Sequence, residues 1–177
     1  MERKLNSKVI YDGKIIKVLK DDVLVEKGAG IQSVREIVVH NGGAVGLVKT
    51  KDNKIIFVKQ YRYAASDYLL ELPAGKLEIG EDPKETIYRE LQEEVGVKAN
   101  KIDFVGYCYV SPGYCTEKIY MYYVDDYENT NTNFDECEDL DIIEYDFESA
   151  YKLIETGKIV DAKTICLMLM VKDKIFN

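Results

Sequence analysis

Apolar and polar positions along the chain predict strands first, then a helix, then strands and helices again. From Lys8 to His40, short β-branched runs (VIY, KIIKVLK, VLVEK, QSVREIVVH) are separated by Asp12-Gly13, by Asp21-Asp22 and by Gly28 to Gly30. That rhythm predicts a small antiparallel meander. A sheet of about thirty residues is marginal alone, so it should pack on the rest of the chain or on a second copy of itself. After Asn41-Gly42-Gly43 come AVGLVKT and KIIFVKQY, separated by Lys51-Asp52-Asn53, which read as a hairpin in a more buried sheet.

The best-marked helix runs from Pro83 to Val95. Asp82 is a natural N-cap, Pro83 occupies the first helical position where its missing N–H costs nothing, Glu85 completes a capping box, and Gly96 ends the helix. Strands are expected near Ile102 to Val110 and Ile119 to Val124, then a long polar loop from Glu128 to Asp139, then a strand from Leu140 to Tyr145. Two helices should close the chain. One lies near Phe147 to Glu155 and stops at Gly157; the other runs from Asp161 through the apolar stretch Ile165 to Val171.

Composition narrows what such a chain can be. Its 177 residues suffice for one full core, with 46% hydrophobic and 32% charged residues and only 3 prolines, which disfavours disorder and low complexity. The apolar runs fall far short of the roughly 20 residues that cross a bilayer, and MERKLNSKVI lacks a signal-peptide core. A cytoplasmic protein with no membrane partner is expected. The 24 basic and 32 acidic residues leave a net charge of −8, the wrong sign for a nucleic-acid backbone binder. An acidic protein can still bind an anion if arginines, lysines or divalent cations invert the local field. Cys108, Cys115, Cys137 and Cys166 show no CxxC spacing, and with the single His40 they make an ordinary zinc site implausible; they read as reduced thiols.

On the Pro83 to Val95 helix, stepping about 100° per residue puts Ile87, Leu91, Val95 and Tyr88 in one arc and Glu90, Glu93 and Glu94 in another. Clustered carboxylates on an exposed helix repel one another by about 0.2–0.5 kcal/mol per pair. Two readings remain open on the helix alone. Either this is a solvated face with Glu85 to Arg89 and Arg89 to Glu93 as ion pairs, or it is an all-oxygen site for a hard cation such as Mg²⁺ or Mn²⁺.

The flanking residues decide between them. Gly75, five residues, Glu81, seven residues, Arg89-Glu90-Leu91, one residue, Glu93-Glu94, one residue, Gly96-Val97 resembles the Nudix hydrolase signature at every fixed position. The resemblance implies an α/β fold, a Nudix α/β/α sandwich over residues 41–177, preceded by the small antiparallel β-sheet of residues 1–40. It also implies cleavage of a nucleoside diphosphate linked to a further group, with Mg²⁺ (or Mn²⁺) as cofactor. Glu90, Glu93 and Glu94 are then metal ligands, Arg89 orients their carboxylates, Glu81 supports them, and the carbonyl of Ala74 is an additional ligand. Glu71 and Glu78 read as structural. A diphosphate resists nucleophiles because its oxygens are anionic, and cations that neutralise those oxygens and acidify a bound water meet both obstacles.

Three further segments resemble the ADP-ribose pyrophosphatase branch of that family. Ser111-Pro112-Gly113 places a proline sixteen residues after Gly96; Lys59-Gln60-Tyr61-Arg62 matches a segment whose arginine contacts the diphosphate; Asp135-Glu136-Cys137-Glu138-Asp139 resembles an acidic loop. The resemblance makes Arg62, Pro112 and Gly113 substrate contacts, Glu138 a further metal ligand and Glu136 the base, with Arg89 and Glu93 beside it in catalysis. Val34-Arg35-Glu36 resembles the segment whose arginine stacks on the adenine, although a structural ion pair serves Arg35 equally well. The expected partner is a small nucleoside diphosphate compound, and the expected assembly is a homodimer built on residues 1–40. The expected reaction converts ADP-ribose to AMP and ribose 5-phosphate. Hydrolysis of another nucleoside diphosphate sugar or a dinucleotide, and a sensing module that binds ADP-ribose without cleaving it, are the alternatives.

Overall fold

The β-branched runs at the N-terminus form three strands, β1 (Glu2–Asp12), β2 (Lys17–Val25) and β3 (Ile31–Val39), in an antiparallel sheet of order β1-β2-β3. A computed structural model of the chain describes residues 1–133 and 140–176. Asp21-Asp22, which reads as a turn in the sequence, lies inside β2. The reason is local: Asp21 is buried and accepts a 2.5 Å hydrogen bond from the Ser7 hydroxyl of β1, while Asp22 faces solvent. A polar pair can therefore continue a strand when one member finds a cross-strand partner. Met1–Gly42 and Tyr109–Lys118 together make one compact unit. The second segment joins the first through a parallel bridge between Val38 and Cys115 and through Thr116 N–H to the Val38 carbonyl, 2.9 Å.

Gly43–Cys108 and Ile119–Asn177 form the other unit. Its strands are β4 (Gly43–Val48), β5 (Lys54–Arg62), β6 (Asp67–Glu71), β7 (Ala74–Lys76), β8 (Val97–Tyr109), β9 (Lys118–Asn129) and β10 (Leu140–Asp146). They make two sheets, β7-β4-β9-β8 and β10-β5-β6. The expected hairpin of β4 with β5 is therefore not formed: β4 pairs parallel with β9 and antiparallel with β7, while β5 pairs with β6 and β10. Every residue of β4 is buried, as a strand covered on both faces must be. A bridge between Lys49 and Ile55 and the turn bond from Thr50 N–H to the Lys54 carbonyl, 2.7 Å, join the two where they meet.

Helix α1 (Pro83–Val95) packs Ile87, Leu91 and Val95 against Ala44, Val48, Ile56, Val58 and Val124. Helices α2 (Phe147–Glu155) and α3 (Ala162–Met170) bury Ala150, Leu167 and Met168 with Val45, Leu47, Phe57 and Met121. Alternate residues of β4 thus serve opposite cores, and the unit is an α/β/α sandwich. A short final helix, α4 (Lys172–Phe176), follows α3. No helix among the described residues is long and apolar enough to cross a membrane.

Candidate active site

Helix α1 begins where its sequence says it should, since the Asp82 carboxylate accepts from the Lys84 N–H at 2.9 Å. The second half of the expected capping box is absent among the described residues, because Glu85 makes no return bond to Asp82. Gly96 closes the helix at φ 63°, and its N–H reaches the Gln92 carbonyl at 3.2 Å. The Gly96 carbonyl accepts from Thr130 N–H at 2.8 Å and the Glu93 carbonyl from Asn133 N–H at 3.0 Å. The chain leaving β9 is thereby tied to the C-terminal end of α1.

The acidic arc of α1 faces the strand end at Ala74-Gly75. Glu90 and Glu94 are 9% and 3% exposed, values that a carboxylate tolerates only with compensating partners. Glu94 finds one in the Ala74 N–H, 3.0 Å from its Oε2. Glu90 lies so close to the Gly75 backbone that a Cβ there would sit 1.9 Å from Glu90 Oε1. Glycine is required at position 75 by this approach, not by an unusual turn. Ala74 and Gly75 are held in turn by β4, with Val45 opposite Ala74 and Ala44 opposite Gly75.

Arg89 organises the carboxylates around it. Its Nη1 donates to Glu90 Oε1 at 2.7 Å and to Glu93 Oε2 at 3.0 Å, and its Nη2 lies 3.7 Å from Glu81 Oε1. The Glu85 to Arg89 pair of the solvated-face reading is not made among the described residues, and Glu81, which precedes the helix, faces Arg89 instead. Glu81 also accepts the Glu78 N–H at 2.9 Å, and that backbone bond, with help from Arg89, holds its carboxyl below the usual 4.5. One guanidinium thus faces three acids, with Glu94 beside them on the same helix. The donors are all oxygen, the chemistry that suits a hard divalent cation. No group of three or more His, Cys, Asp or Glu is gathered as a ready-made metal cage among the described residues, and Arg89 bonds both Glu90 and Glu93.

Arg62, at the end of β5, lies in the same unit and feels the Glu94 charge. It is clamped by Glu71 of β6, Nε to Oε1 at 2.6 Å and Nη2 to Oε2 at 2.7 Å. Glu71 is 1% exposed. Burial is the largest influence on its carboxyl and pushes it up; the Arg62 hydrogen bonds and the Lys163 charge together outweigh burial and hold it below 4.5. The sequence reading missed Lys163 altogether and left Glu71 without a partner. The signal was an acid ending the apolar run Tyr68 to Leu70, which demands a buried cation somewhere in the fold.

The remaining sequence-derived positions belong to other segments of the chain. Arg35 sits on β3 and pairs with Glu2, Nε to Oε2 at 3.0 Å with a second, shorter contact from Nη2, which is the structural role that competes with base stacking. Pro112 and Gly113 belong to the Tyr109–Lys118 segment of the N-terminal unit, in a turn where Tyr114 and Cys115 N–H groups return to the Ser111 carbonyl. Glu136 and Glu138 lie outside the described residues.

Comparison with known proteins supplies a family. A NUDIX domain model matches residues 40–168. An ADP-ribose pyrophosphatase of Bacillus subtilis (strain 168) is 37% identical over 165 residues, covering 92% of this chain and 88% of the relative. A methanol dehydrogenase activator of Bacillus methanolicus is 36% identical over 93% of this chain and 89% of its own length. A GDP-mannose pyrophosphatase of Yersinia pestis (strain Pestoides F) is 31% identical over 83% of this chain and 79% of its own length. Among solved structures, an ADP compounds hydrolase superposes with a TM-score of 0.84 at 22% identity, over 99% of this chain and 94% of that one.

Proposed function

The chain belongs to the NUDIX family, and from that premise we propose that it hydrolyses the diphosphate of ADP-ribose to AMP and ribose 5-phosphate with the help of a divalent cation. The observation that carries the proposal is the acidic arc of α1 seated on the Ala74-Gly75 backbone, with Glu94 bonded to Ala74 N–H and Glu90 filling the space a side chain at 75 would need. The substrate class is supported by the Bacillus subtilis relative named as an ADP-ribose pyrophosphatase.

In this reading Glu90, Glu93, Glu94 and the Ala74 carbonyl hold Mg²⁺ or Mn²⁺. Bound there, such a cation would neutralise diphosphate oxygens and acidify a water. Arg89 keeps Glu90 and Glu93 aligned, and it limits their mutual repulsion before a cation arrives. Glu81, fixed by the Glu78 N–H, keeps Arg89 from turning away. Arg62 has five N–H donors, of which the pair with Glu71 uses two; the others are available to diphosphate oxygens. Its guanidinium supplies positive charge that the net −8 of the chain does not. Pro112, Gly113 and Arg35 are proposed substrate contacts from the N-terminal unit. Glu136 and Glu138 complete the proposed set as base and ligand, on the resemblance of their segment alone.

We further propose a homodimer through the β1–β3 sheet. Strand β1 is exposed along its whole length, and Val9, Ile10, Tyr11, Ile15, Ile31 and Val34 present large apolar side chains to solvent. Uncovered apolar surface on a small edge-bearing sheet favours self-association. The proposed setting is the cytoplasm, in keeping with Cys108, Cys115 and Cys166 standing outside any disulfide.

The test is a product assay over ADP-ribose, GDP-mannose, other nucleoside diphosphate sugars and dinucleotides, each with and without Mg²⁺. AMP and ribose 5-phosphate from ADP-ribose, formed only with Mg²⁺, is the expected result. Faster cleavage of GDP-mannose would move the substrate; tight ADP-ribose binding without products would make the protein a sensing module.

A further inference from the structure

We propose that Lys163 is a positioning residue for the diphosphate-binding arginine: it holds the Glu71 carboxylate that clamps Arg62, sharing Oε2 with the guanidinium, so that the guanidinium is presented to substrate in one fixed orientation. The inference rests on the function proposed above and assigns a role to a helix residue outside the family signature.

Lys163 is the second residue of α3, whose N-cap is Asp161. A cation in the first turn of a helix opposes the positive end of its dipole, so packing or charge elsewhere must favour it there. Two acids do so. The Nζ contacts Glu71 Oε2 closely and lies 3.0 Å from Asp161 Oδ1. Asp161 is itself fixed, its Oδ2 accepting the Thr164 N–H at 3.0 Å and the Thr164 hydroxyl at 2.6 Å. Thr164 Oγ1 in turn accepts the Leu72 N–H at 2.8 Å. Leu72 follows Glu71 directly and leads through Pro73 to Ala74 and Gly75. The start of α3 therefore grips both the carboxylate that orients Arg62 and the strand end that carries the Ala74 carbonyl.

A buried carboxylate with a single arginine partner can rotate about its last torsions and carry that arginine with it. Glu71 cannot, because Oε2 is shared between Arg62 Nη2 and Lys163 Nζ while Oε1 is taken by Arg62 Nε. The Arg62 side chain is 41% exposed and the Lys163 side chain 16%. The arrangement keeps the lysine inside as an anchor and leaves the arginine outside as the group that meets the ligand.

The experiment compares wild type, Lys163→Met, Lys163→Arg, Arg62→Met and the double variant Arg62→Met with Lys163→Met, all as full chains with Mg²⁺. Steady-state hydrolysis of ADP-ribose gives kcat and KM, and calorimetric titration with ADP gives diphosphate affinity independently of turnover. Lys163→Met should raise KM for ADP-ribose and Kd for ADP together by roughly tenfold, with kcat changed by less than about threefold, the signature of lost uniform binding. Lys163→Arg should restore most of that loss. In the Arg62→Met background the lysine substitution should change KM and Kd by less than about twofold, because residues acting through one another are not additive. Unchanged KM and Kd in Lys163→Met, with only a lower Tm, would overturn the proposal, and so would equal losses with and without Arg62. A wild type that binds ADP and cleaves ADP-ribose while Lys163→Met matches it overturns this inference alone. A wild type that does neither overturns the proposed function and this inference together.

Discussion

Glycine at position 75 and glutamate at position 90 are mutually dependent. The Glu90 side chain occupies the volume of the missing methyl, with its Cδ 2.0 Å and its Cγ 2.3 Å from where a Cβ would stand. Gly75→Ala therefore displaces a side chain and leaves the strand pairing intact. Turnover and Mg²⁺ affinity should fall roughly 10–100-fold, the usual scale for disturbing the support of a metal ligand, with a loss of stability of only about 1 kcal/mol. Mg²⁺ titration of activity alongside thermal melts checks the split; a large fall in Tm with normal metal affinity would show that the glycine serves packing alone. Glu71 makes a second residue-level prediction. Its native pKa is below 4.5, so its contribution to stability is fully present above that value and is lost as pH falls through the lowered native one. Glu71→Gln should cost about 1.5–3 kcal/mol at pH 7, as hydrogen bonds to charged groups do. It should also flatten the acid side of the stability curve. Urea midpoints measured from pH 7 down to pH 3 would show whether the two curves converge in acid, as this requires.

Helix α1 is held at both ends by features visible in the sequence, and each end has a different physical basis. Asp82 gives the N-terminus a side-chain acceptor, whereas Gly96 gives the C-terminus a residue that adopts φ 63° without strain and leaves room for the Thr130 carbonyl, 2.6 Å from where a Cβ would be. Gly96→Ala pays for both the left-handed conformation and that contact. A loss of at least about 1–2 kcal/mol is expected, which for a chain of this size is a fall in Tm of roughly 2–8 °C. Because Asn133 and Thr130 bond to the same helix end, activity should fall further than the Tm shift alone explains at a temperature well below melting. Calorimetry paired with an activity assay at 25 °C separates the two effects, and wild-type activity in the variant would show that the helix end does not hold the site.

At the scale of the molecule, the net charge of −8 and the acidic arc make the protein a poor host for an anionic substrate until cations bind. Chelation with EDTA should abolish ADP-ribose hydrolysis, and Mg²⁺ or Mn²⁺ should restore it; full activity in the metal-stripped protein would refute the oxygen-ligand assignment. The exposed apolar side chains of β1 lead to the other whole-molecule expectation. Light scattering should give twice the chain mass at micromolar concentration, and Ile10→Glu, which puts a charge into the proposed interface, should shift the equilibrium to the monomer. A monomeric wild type with full activity would show that the β1–β3 sheet is not a dimer contact.

The sequence by itself determined the family, the α1 helix with both its ends, and the α/β class, because these depend on local spacing, on capping chemistry and on a single contiguous motif of residues 75 to 97. It did not determine which strands pair. The runs that become β4 and β5 are adjacent, apolar and separated by a good turn, yet they enter different sheets, since each pairs with strands distant in sequence, β9 for β4 and β10 for β5, which no local pattern reports. The same limit applies to partners. Arg62, Glu71 and Lys163 are separated by up to 101 positions of chain, and only the packing of α3 against the end of β6 brings them together. Glu85 and Glu81 show how spacing alone leaves a partner open: an i,i+4 pair of Glu85 with Arg89 is one of two readings of the helix, and Glu81, held before α1 by the Glu78 N–H, is the acid that faces Arg89. Local rules fix what a residue can offer, and the fold chooses the partner because unpaired buried charge costs more than any local preference returns.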